Sequence, residues 1–80
     1  MIHAHEKFNR IQDPENKIGV DEPVFLLRAQ DIYAPDTLRY WADRVASGGR
    51  HPNLSLAEDI RIHAEQMETW QQKNGMKIPD

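Results

Sequence analysis

The chain has 80 residues, with 10 Lys and Arg against 13 Asp and Glu, and no cysteine. That length gives one small domain, and the missing thiols exclude a disulfide framework or a thiolate zinc centre. A net charge of −3, with the basic residues scattered, argues against a nucleic-acid binder, which needs clustered Lys and Arg.

No apolar stretch approaches a membrane span, and Met1-Ile2-His3-Ala4-His5 lacks the basic and apolar regions of a signal peptide. The expectation is a soluble, cytoplasmic protein without membrane partners. Apolar residues make up only 39% of the composition, little for a chain of this size to build a core with. Burial against another protein surface is therefore expected, most simply as a homo-oligomer.

In chain order, residues 1–21 carry the weakest pattern. Ile2, Ala4, Phe8 and Ile11 fit a loose helix or an irregular strand, and Asp13-Pro14-Glu15-Asn16 is a turn with Pro at its second position. A hairpin pairing Phe8–Gln12 with Lys17–Val20 would give the next segment a neighbour. That segment, Val24 to Arg28, contains the longest apolar run and reads as a short buried strand after Pro23. One turn of helix is the alternative, with Asp21 as cap and Phe25, Ala29 and Ile32 on one face.

The helices are clearer. Pro35 suits a first helical position and Asp36 places a carboxylate in the first turn, where the helix dipole favours it. Leu38, Trp41, Ala42 and Val45 recur at the spacing of one buried face, Arg39 and Asp43 stand four apart, and Gly48-Gly49 stops the run. The spacing predicts a helix over 35–47. Ser55 with Glu58 has the form of a capping box, and Leu56, Ile60, Ala64, Met67 and Trp70 line a second helix over 55–74. Asn74-Gly75 ends it, with Met76 placed to fold back on Trp70. Trp41 and Trp70 read as core residues joining the two helices, with anchors for a partner as the alternative, while Ile62 with Leu54 is a candidate surface patch.

The chemistry-bearing residues are sparse. His3 and His5 with Glu6, and His63 with Glu65, lack the spacing of a metal site, so no metal or other cofactor is expected. No Ser/His/Asp, Cys/His or glycine-rich phosphate motif is present, and the chain does not read as an enzyme. The best polar and aromatic cluster is Arg28, Gln30, Asp31, Tyr33, Arg39 and Tyr40, which bracket the turn into the first helix. Arg beside Tyr suits a protein partner or a small anionic ligand such as a nucleotide. The plainer reading has Arg28 paired locally with Asp31 and the tyrosines covering the rim of the core.

The segment EPVFLLRAQDIYAPDTLRYWADRV, Glu22 to Val45, resembles short proteins carried by phages and prophages. The resemblance implies an accessory protein of an infection programme, acting by binding a host factor or sequestering a small signal. It brings no catalytic residues with it.

The fold expected is α+β and mainly α: an antiparallel pair of amphipathic helices packed on a short N-terminal β element, with an all-α three-helix domain as the alternative. The function expected is a non-catalytic protein-interaction module acting as a homo-oligomer. A small-ligand binding protein that takes a nucleotide or another anion is the second reading.

Overall fold

In the computed structural model, which describes residues 1–79, two helices carry the fold: α1 (Ala34–Ser47) and α2 (Leu54–Asn74). Ahead of them come a short strand β1 (Ile2–His3), a 3-10 turn at Glu6–Phe8 and a second short strand β2 (Pro23–Val24). The two strands pair in parallel, Ile2 opposite Pro23 and His3 opposite Val24. The chain is mainly helical α+β, with an antiparallel helix pair and a short N-terminal β element.

The turn at Asp13 forms as its residues predict. The Asn16 amide donates to the Asp13 carbonyl at 3.0 Å, and the Asp13 carboxylate accepts from the amides of Lys17 at 2.9 Å and Ile18 at 2.8 Å. No hairpin follows it. The loop instead carries the chain back so that β1 and β2 run parallel, and only the first residue of the apolar run, Val24, joins a strand. Phe25 to Arg28 continues as irregular chain, because neither edge offers it a ladder.

Helix α1 starts one residue before the expected boundary. Pro35 sits in its first turn, the Asp31 carboxylate accepts from the Tyr33 amide at 2.8 Å, and the Thr37 hydroxyl donates to the Tyr33 carbonyl at 2.7 Å. At the far end Gly48 keeps ordinary extended dihedrals, and Gly49 takes the left-handed conformation with φ 54°. Gly48 is needed for a different reason from the one the sequence suggests: a Cβ there would collide with the Arg44 carbonyl oxygen.

Helix α2 is capped by Asn53, not by the expected Ser55 box. The Asn53 side chain accepts from the Leu56 amide at 2.9 Å, and its own amide donates to the Val45 carbonyl at 3.0 Å. Since the helix begins at Leu54, Ser55 already lies inside the first turn. Gly75 ends the helix at φ 83°, its amide reaching the Gln71 carbonyl at 2.7 Å.

The seam between the helices is built from small residues. Ala34 and Ala42 on α1, and Ala57 and Ala64 on α2, are all 0% exposed, with Met67 and Gln71 extending the buried line. Small side chains let helix axes approach closely, and no indole fits at such an approach. Trp41 and Trp70 are accordingly 48% and 42% exposed, which corrects the expectation that they join the helices through the core. The buried line of α2 runs through Ala57, Ala64 and Gln71, so Leu56 and Trp70 fall at its edge rather than its centre.

Charge pairing crosses the seam as well as running along α1. Arg39 does not pair with Asp43; its guanidinium bonds Glu68 on α2, with Asp36 a longer second partner at 3.4 Å. Asp43 accepts from Arg61 of α2 at 2.9 Å. As the α1 partner moves forward the α2 partner moves back, as an antiparallel pair requires.

Candidate functional site

The segment between β2 and α1 is clamped from two sides. The Gln71 amide group, buried at the end of the alanine seam, donates to the carbonyls of Ala29 at 2.8 Å and Asp31 at 2.9 Å. From the other side the Lys77 amide donates to Gln30 at 2.7 Å, and the Ile32 amide donates to Lys77 at 3.0 Å, a parallel bridge between Asp31 and Lys77. Residues 28–32 are thereby held between α2 and the chain that follows it.

This clamp forms one wall of an open groove of about 700 Å³. Its apolar surface comes from Phe8, Phe25, Leu26, Met76 and Ile78, and the rings of Phe8 and Phe25 meet with centroids 5.4 Å apart. Cations stand along it: Arg28 and Lys77 are exposed, and the Lys7 ammonium lies 5.3 Å from the centre of the Phe8 ring. Asp31 is the acidic residue among the described residues of the lining, and its carboxylate is committed to the Tyr33 amide. A second depression of about 320 Å³ lies between Leu27, Ala29, His63, Met67 and Trp70.

The six residues singled out in the sequence do not converge. Arg28, Gln30 and Asp31 share the large groove, while Tyr33, Arg39 and Tyr40 line neither depression. Tyr33 and Tyr40 stand 58% and 68% exposed on the side of α1 opposite its alanines, with Trp41 on the flank. Arg39 is engaged with Glu68. That hydrogen bond, more than the attraction of opposite charges, raises the Arg39 pKa and lowers that of Glu68 from the usual carboxylate range.

No family model matches the chain, and neither a curated protein nor a solved structure shows significant similarity to it.

His5 accepts from the Lys7 amide through Nδ1 at 3.1 Å and caps the 3-10 turn. His63 lies in the second depression, and the buried Nδ1 of His3 has no hydrogen-bond partner among the described residues. Among those residues, no three His, Asp or Glu side chains come together in a way that would hold a metal ion, and no helix is long and apolar enough to cross a membrane. Phe8, Phe25, Met76 and Ile78 were absent from the sequence-derived site, because they come from three segments far apart in the chain. The one local signal was the choice of Phe in an apolar run that continues past its strand.

Proposed function

We propose that the protein is a non-catalytic interaction module that works in the cytoplasm as a homo-oligomer, covering the outward face of α1 with a second protein surface. The observation that carries this reading is surplus surface. The chain exposes 6563 Å², about 1,600 Å² more than a compact monomer of its mass. A typical stable interface takes only about 800 Å² from each partner. The surplus is rich in large apolar groups, and among the described residues no large side chain is fully buried. Tyr33, Tyr40 and Trp41 are the residue types that anchor interfaces; Tyr33 caps α1 and the other two lie on it. A phage-type accessory role, as the resemblance implies, is compatible with such a module.

Tryptophan emission tests the reading. Both indoles are about half exposed in the single chain, so emission should shift to the blue and iodide quenching should fall as concentration rises. Tyr40→Glu should abolish the change while leaving helical circular dichroism intact. Emission and quenching independent of concentration, in the wild type as in the variant, would refute it.

A further inference from the structure

The groove built by Phe8, Phe25, Met76 and Ile78 has no part in that interaction face, and we infer that it is a binding site for a small amphiphilic anion, an aliphatic chain ending in a carboxylate. Three observations point to this class. Its volume of about 700 Å³ lies within the range of sites that hold small organic ligands. Its lining includes the paired rings of Phe8 and Phe25 together with Met76 and Ile78, which suits an aliphatic chain.

The charge at its edge is the third. Arg28 and Lys77 are exposed and form no salt bridge with any carboxylate of the described residues, although the whole chain carries a net −3. Acidic residues outnumber basic ones, yet Arg28 and Lys77, two of the cations that border this groove, have no carboxylate partner among the described residues. The lining carboxylate, Asp31, is turned to the Tyr33 amide. An anionic head beside Arg28 and Lys77 with its tail along the two phenylalanines satisfies both features at once. A neutral or cationic amphiphile satisfies only the apolar one.

The clamp also holds one wall of the groove. The Gln71 side-chain amide and the Lys77 backbone fix residues 29–32, so the wall bearing Arg28 is held by α2 and the segment after it without contact from the ligand. A preformed wall lowers the ordering cost of binding.

Calorimetric titration with sodium dodecanoate, kept below its micelle concentration, tests the inference on the full chain. Saturable binding at one equivalent is expected, at least tenfold tighter than for dodecyltrimethylammonium, which has the same tail and the opposite charge. Shortening the acid should weaken binding by up to about fourfold per methylene removed. Amide chemical shifts should move at Phe8, Phe25, Met76 and Ile78. The double variant Arg28→Glu with Lys77→Glu should erase the preference for the anion, and Phe25→Ala should weaken both amphiphiles. Lys17→Glu, a cation paired with Glu15 outside the groove, should change nothing. Tyr40→Glu should bind as the wild type does, which separates this site from the association face. Equal affinity for the two head groups, binding unaffected by the groove variants, or attachment only to vesicles of anionic lipid would each overturn the assignment.

Discussion

Gln71 shows how one polar side chain can decide where a whole segment lies. It is buried, it caps the alanine seam, and its amide holds two carbonyls some forty residues earlier in the chain. Gln71→Leu keeps the volume but strands the Ala29 carbonyl, and should lower the unfolding free energy by about 1–3 kcal/mol in urea titration. At the same scale the glycines behave differently from one another. Gly75 has φ 83° and ψ 170°, a region essentially reserved for glycine, so Gly75→Ala should cost about 1–3 kcal/mol despite open space around it. The Gly75 stop and the Asp13-Pro14 turn were legible in the sequence because their causes lie within four residues. Gln71 was not, since its partners are remote. The only hint was its place seven residues beyond Ala64 and fourteen beyond Ala57.

Among the elements, the helix pair was legible in existence, in length and in part of the face it buries, since Ala42, Ala64 and Met67 lie on the expected stripes and are buried. Trp41, Leu56 and Trp70, expected on the same stripes, are exposed, and closeness of approach adds Ala57 to the seam in their place. A wider side chain in that seam must separate the helices. Ala64→Leu should therefore destabilise by about 1–3 kcal/mol, although it adds apolar surface, as thermal melts would show. The cross-seam charges were hidden for a related reason, because Arg39 and Asp43 suit each other along the helix yet find their partners across it. Arg39 holds the Glu68 carboxylate below its usual range, so the folded chain binds that proton less readily than the unfolded chain. Its contribution is therefore present above the ordinary Glu pKa, about 4.3, and is lost as pH falls through the lower folded value. Urea midpoints measured from neutral pH downward should drop in that acid window, and Glu68→Gln should remove part of the drop.

For the molecule as a whole, the outline is a slab of 36 × 36 × 21 Å with a radius of gyration of 14.3 Å. A compact chain of this length would have a radius nearer 12 Å. The parallel strands and the clamp at Lys77 tie the ends of the chain to its middle but add little apolar burial. Composition had already signalled this shortage, because a low apolar fraction in a short chain leaves a thin core wherever the elements lie. Tyr33 and Tyr40 on the aromatic face of α1 were legible as partner candidates, but the groove was beyond reach of the sequence, since it joins segments that lie far apart in the chain.

Sedimentation equilibrium over a hundredfold range of concentration tests the central claim, that the single chain is an incomplete unit. The account predicts an associating species of at least two copies, dissociated by Tyr40→Glu, with a melting temperature that rises with concentration. A single mass of 9.3 kDa throughout, with a high melting temperature indifferent to concentration, would contradict it.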